Sequence, residues 1–102
     1  MTEGIDINIA GLLFEANHAA TVAMVKFPQP NYVLLKVAEE AGEVVQEAVH
    51  FAEGRGTATA VRKEIVQTIA MLIRLYEEGD LVNGIPAIGP ACVKEIASND
   101  QS

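Results

Sequence analysis

Two short interruptions govern what this chain can fold into. Phe27-Pro28-Gln29-Pro30-Asn31 and Gly54-Arg55-Gly56-Thr57 divide its first eighty residues into three long stretches. Proline cannot continue a helical hydrogen-bond ladder and pushes its predecessor toward extended geometry, so the first helix ends near Lys26. Asn31 is then placed to cap the second helix, and Thr57 or Thr59 to cap the third after the glycines stop the second. Gly79-Asp80 closes the third helix. Leu81 to Pro90 reads as loop, with a short helix from about Ala91 to Ala97 and a frayed end from Asn99 to Ser102. Tyr32–Glu53 and Ala58–Glu78 are joined by so short a connection that they form an antiparallel hairpin.

Composition agrees with an all-α chain. Aromatic residues are 5% with no Trp, so the core is built from Ala, Val, Ile, Leu and Met, which pack best between close helices. At 102 residues the chain is a single domain, and 50% hydrophobic against 21% charged residues is far from the signature of disorder. Seven Lys and Arg against 14 Asp and Glu leave a charge of −7, which excludes duplex nucleic acid and an anionic membrane surface as partners. Cys92 is the lone cysteine, which excludes an internal disulfide and fits a reducing cytoplasm. The N-terminus lacks the basic region of a signal peptide. Ile7 to Val25 is the longest apolar run, but Asn8, Glu15, Asn17 and His18 interrupt it, so it reads as a helix of a water-soluble protein. That helix is apolar on more than one side, which implies burial in a bundle core or against another subunit.

The chemistry lies on the hairpin. At 100° per residue the second helix gathers Val33, Leu34, Val37, Ala38, Ala41, Val44, Val45, Ala48, Val49 and Phe51 on one broad arc, which is the expected core face. Glu39, Gln46 and Glu53 lie opposite. At the edge of the arc runs a stripe of Lys36, Glu40, Glu43 and Glu47, whose like charges repel at those spacings. On the third helix Glu64 falls inside the apolar arc with Val61, Thr68, Met71 and Leu75. An ionised carboxylate there needs a partner, which Lys36, Arg62 or a cation can supply. Counted outward from Arg55, Glu43 stands level with Gln67, and Glu47 nearly level with Glu64. Glu40, Glu43, Glu47, Glu64 and Gln67 therefore converge, and an oxygen-only set suits Mg²⁺ or Mn²⁺.

Glu39-Glu40-Ala41-Gly42-Glu43 followed by Glu64-Ile65-Val66-Gln67 resembles the MazG-like all-α nucleoside triphosphate pyrophosphohydrolases, whose pattern is Glu-Glu-x-x-Glu and then Glu-x-x-Asp. Leu34-Leu35-Lys36-Val37-Ala38 and Gly42 are similar to the same motif helix, and the likeness covers about half the chain, Phe27 to Glu78. The resemblance implies a four-helix unit assembled as a homodimer or homotetramer, and Mg²⁺-dependent cleavage of a nucleotide between its α- and β-phosphates. By motif position Glu40, Glu43 and Glu64 become metal ligands, Glu39 supports them, and Lys36 lies near the phosphates. Gln67 stands where the pattern has Asp, so this position offers one neutral oxygen and the site loses one charge. Glu47 is the residue placed to compensate. Phe27 is the candidate for stacking on the base, with Asn17, His18 and Asn31 for polar contacts, and Arg62, Lys63 and Arg74 for phosphates.

Two other functions compete. The Gln67 departure fits a module of the same fold that binds nucleotide or metal without turnover. Glu15-Ala16-Asn17-His18 and Glu47-Ala48-Val49-His50 share the Glu-x-x-His form by which ferritin-like bundles hold two irons.

Overall fold

A computed structural model describes residues 6–100. It consists of four helices, α1 (Ile7–Lys26), α2 (Val33–Ala52), α3 (Ala58–Glu78) and α4 (Ile88–Asp100), with no strand among the described residues. No described helix is long and apolar enough to cross a membrane. The helix stops fall where the interruptions place them. Asp6 and Thr57 cap α1 and α3 through their side chains, onto the amides of Asn8 and Ala60. Gly79 ends α3 at φ 70°, where a Cβ would stand 2.2 Å from the Ile85 carbonyl oxygen, so only glycine fits.

α3 is the hub. It packs against each of the other helices, and no other helix pair meets among the described residues. Glu15 of α1 meets Arg62 while Phe27 meets Arg74, so α1 and α3 run in the same direction and α2 runs against both. Ala16 and Ala20 of α1 and Val66 and Ala70 of α3 are buried, and such small side chains let the two backbones approach closely. α4 joins the outer side of α3, where Gly89 lies against the Tyr76 ring. This helix starts three residues earlier than the expected Ala91, because Pro90 falls in its first turn, where a missing N–H costs nothing. It also continues through Asn99, beyond the expected end, and residues 101 and 102 lie outside the described part, as does the N-terminal stretch 1–5.

A polar knot fastens the far end of this assembly. Buried Arg74 donates to the Glu78 carboxylate and to the carbonyls of Ala23 and Phe27, tying the last turn of α1 to α3. Arg74, offered by the sequence as a phosphate contact, is buried and ties two helices together through three hydrogen bonds. Gln29 donates to Glu78 and to the Gly79 carbonyl and accepts from the Leu81 amide, which fixes the proline-rich segment. Asp80, fully buried, accepts from the Leu34 amide at 2.8 Å and from Asn83. The first turn of α2 is thus capped from the loop after α3, and not by Asn31, because Tyr32 occupies the cap position without a side-chain bond.

The expected core face of α2 is only half realised. Val33 is buried and Val37 and Val44 are half-buried against the fold, while Leu34, Ala38, Ala41, Val45, Ala48 and Val49 are exposed. The acidic stripe lies on the covered side, with Glu40, Glu43 and Glu47 half-buried. α3 is the sole neighbour of α2 and covers one sector of it, and the Asp80 cap and the short turn hold that sector in place. α1 likewise buries one side, and Ile7, Phe14 and Val25 stay open.

The Leu34 amide and Asn83 hold the Asp80 carboxylate below its ordinary value of 3.8. A depressed carboxylate stabilises the fold fully above the unfolded value and loses that contribution as pH falls through the folded one. Asp80→Ala is expected to cost about 1–2 kcal/mol, on the order of 5–10 °C in Tm, at neutral pH. The difference from wild type should shrink below about pH 4 in thermal melts followed by circular dichroism.

Candidate metal centre and adjoining cavity

Packing α2 on α3 brings three carboxylates together. Glu40 and Glu43 come from successive turns of α2 and Glu64 from α3, and one oxygen of each lies within 4.8 Å of the others. All three are half-buried. The cations that sequence offered as partners for Glu64 are engaged elsewhere: Lys36 pairs with Glu39 at 3.7 Å, and Arg62 pairs with Glu15 at 2.5 Å. Contact with the Glu43 carboxyl, followed by burial, pushes Glu64 above its ordinary value. Burial foremost, then the Glu43 charge, does the same to Glu40. The triad is a concentrated negative charge that Lys36 and Lys63 offset only in part, and its all-oxygen donor set fits a hard divalent cation.

Beside the triad, a cavity of about 230 Å³ opens between α1 and α2. Ala23 of α1, Phe27 just after it, Met71 of α3 and the stem of Lys36 give it apolar walls, and Asn31, Glu40 and Gln67 supply polar groups. Its inner end is the Arg74 that ties α1 down. The volume is below the roughly 300–1,000 Å³ of pockets that enclose a whole drug-sized ligand, so it accepts a ring-sized group. Gln67 also lines a second, shallower groove with Glu15, Thr59, Arg62 and Lys63.

Most of the expected site residues gather here. Phe27, Asn31, Lys36, Glu40 and Gln67 share the cavity, and Glu43 and Glu64 complete the triad. Others lie apart. Asn17 and His18 are exposed on α1 and line none of this cavity, because the face of α1 that meets α3 runs through Ala16, Ala20 and Ala23. Glu39 is exposed and turned to Lys36, and Glu47 is on the same stripe but outside the triad. The di-iron arrangement is not assembled within the chain: Glu15 is held by Arg62, His18 faces outward, and neither His18 nor His50 joins the carboxylates. The knot of Gln29, Arg74 and Asp80, which carries Phe27 and Asn31 to the cavity, went unread. Its one sequence signal was Asp80 three residues before Asn83, an Asx-turn spacing beside Gly84.

Crowded carboxylates destabilise the fold once ionised, so relieving them should be visible without any assay of activity. With raised folded values, this penalty is absent at low pH and grows as pH rises through them. At pH 7 without divalent cation, Glu43→Gln is expected to raise stability by on the order of 0.5 kcal/mol, about 2–4 °C in Tm. Added Mn²⁺ should raise the Tm of wild type and leave that of the variant unchanged in differential scanning fluorimetry.

No family model matches this chain, and no curated protein and no solved structure matches it.

Proposed function

We propose that the triad and its cavity form a Mg²⁺-dependent nucleotide pyrophosphohydrolase site of the MazG-like kind, releasing a nucleoside monophosphate and pyrophosphate. The observation that carries the reading is the meeting of Glu40, Glu43 and Glu64 next to a ring-sized, mainly apolar cavity. A bare carboxylate cluster repels a phosphate, whereas the same cluster with a cation attracts one.

Glu40, Glu43 and Glu64 would hold the ion, with Mn²⁺ as a substitute. Bound Mg²⁺ supplies neutralisation of charge on the phosphate oxygens and a lowered pKa for water. The remaining work falls to this chain's own residues. Phe27 packs on a face of the base and Asn31 meets its polar edge, while Gln67 offers its one neutral oxygen toward the ion. Lys36 contacts the phosphates and is oriented by Glu39. Glu47, at the edge of the triad, receives the proton of the attacking water. The reading takes an assembly of more than one copy, at work in the reducing cytoplasm where a lone thiol such as Cys92 persists.

Gln67 favours one other reading, a module that binds nucleotide without turning it over, because a neutral amide replaces a charged oxygen donor. A panel of nucleoside di- and triphosphates with Mg²⁺ or Mn²⁺ separates the two. Wild type is expected to release pyrophosphate from a triphosphate, Glu64→Gln to lose on the order of 100-fold or more in kcat, and Gln67→Asp to gain. Nucleotide binding in calorimetry with no turnover by wild type or Gln67→Asp would establish the module instead.

A further inference from the structure

The turn between α3 and α4 holds the chain's one Asn-Gly pair, Asn83-Gly84, and fastens it to the carboxylate that starts α2. Asp80 accepts from the backbone amide of Asn83 at 3.1 Å through one oxygen and from its side-chain amide at 2.9 Å through the other. The second oxygen also takes the Leu34 amide, at 2.8 Å. A single buried carboxylate thus latches the turn to the first turn of α2.

The turn itself stands in water. Leu81, Val82, Asn83 and Gly84 are all exposed. Gly84 has φ 69°, and a Cβ built on it would meet nothing within 4 Å. The backbone nitrogen that follows Asn83 is therefore flanked by neither a side chain of its own residue nor a packed neighbour. Asn8, Asn17, Asn31 and Asn99 are followed instead by Ile9, His18, Tyr32 and Asp100, whose side chains crowd the same approach.

We propose that Asn83 is a site of spontaneous deamidation, and that the carboxylate so formed unlatches the start of α2. The Gly84 nitrogen attacks Cγ of Asn83. The N–Cγ bond forms, the Cγ–Nδ2 bond breaks, and the proton lost from the Gly84 nitrogen leaves with Nδ2 as ammonia. The cyclic imide then takes up one water at either carbonyl carbon and opens to an aspartyl or an isoaspartyl link, with no oxidation or reduction. The closed latch keeps the Asn83 amide bonded to Asp80, so the attack proceeds from local openings of the turn, which an exposed segment makes readily. Reclosure then fails: a donor to Asp80 has become a charged acceptor, and two carboxylates at that separation repel. In the isoaspartyl product the backbone also runs through the side chain, which lengthens the turn and displaces the paired amides and carbonyls of Asp80 and Ile85. Either way the Leu34 amide loses a firmly held partner. This chemistry is independent of the metal and nucleotide reading, and each stands or falls without the other.

Peptide mapping by mass spectrometry, on the full chain held at mildly alkaline pH and physiological temperature for several weeks, tests the site. Residue 83 is expected to exchange its amide for a carboxyl several-fold faster than any other asparagine, and Asp80→Ala, which frees both donors of Asn83, to quicken the exchange at that position. In thermal melts at neutral pH, Asn83→Asp is expected to melt on the order of 4 °C below Asn83→Ser, which keeps the backbone donor and a neutral hydroxyl. Modification that is no faster at 83 than elsewhere, no quickening in Asp80→Ala, or equal melting of the two Asn83 variants would overturn the proposal.

Discussion

The rotation of α2 about its own axis is the constraint on which the rest depends. The helix is held at both ends: Asp80 takes the Leu34 amide at its start, and the amides of Arg55 and Gly56 bond the His50 carbonyl at its finish. Held so, α2 presents Glu40, Glu43 and Glu47 to the covered side and Leu34, Val45 and Val49 to the open one. Roughly half a turn of α2 would exchange these faces, burying Val45 and Val49 and returning the carboxylates to water. Burial of apolar side chains is the larger free-energy term in most helical hairpins, at about 25 cal/mol per Å².

Charge and shape then divide the labour around α3. Its side toward α2 carries Glu64, and its side toward α1 carries the small residues that bring Phe27 close. The cavity lies in the gap between, because α1 and α2 each meet α3 and do not meet one another. Arg74, bonded to Glu78, Ala23 and Phe27, lines that gap together with the polar groups of Asn31, Lys36, Glu40 and Gln67. An apolar wall, the amides of Asn31 and Gln67 and the carboxylate cluster thus border one gap.

Much of this was legible before any coordinates. Proline and glycine act locally, and the limits of α1, α2 and α3 follow from them almost residue for residue. Counting outward from Arg55 set Glu43 level with Gln67 and Glu47 with Glu64, which brought the right patch together but not the pairing of Glu43 with Glu64 that the triad shows. The exclusion of Glu47 from the triad, and the outward turn of Val45 and Val49, did not follow from periodicity. Periodicity identifies an apolar arc without saying which part of it a neighbour covers, and that choice was made by Asp80, forty-six residues from the amide it caps. Arg74 was misread for the same reason: its partners are backbone carbonyls of α1, which leave no mark in composition or spacing.

The central claim is that the α2–α3 packing builds a divalent-cation site from Glu40, Glu43 and Glu64. Anomalous diffraction from crystals grown with Mn²⁺ tests it most directly. The account predicts one strong peak on each chain, about 2.0–2.3 Å from an oxygen of all three carboxylates, with the cavity of Phe27 and Gln67 opening beside it. A triad without a peak at millimolar Mn²⁺, or a peak held by residues other than these three, would contradict it.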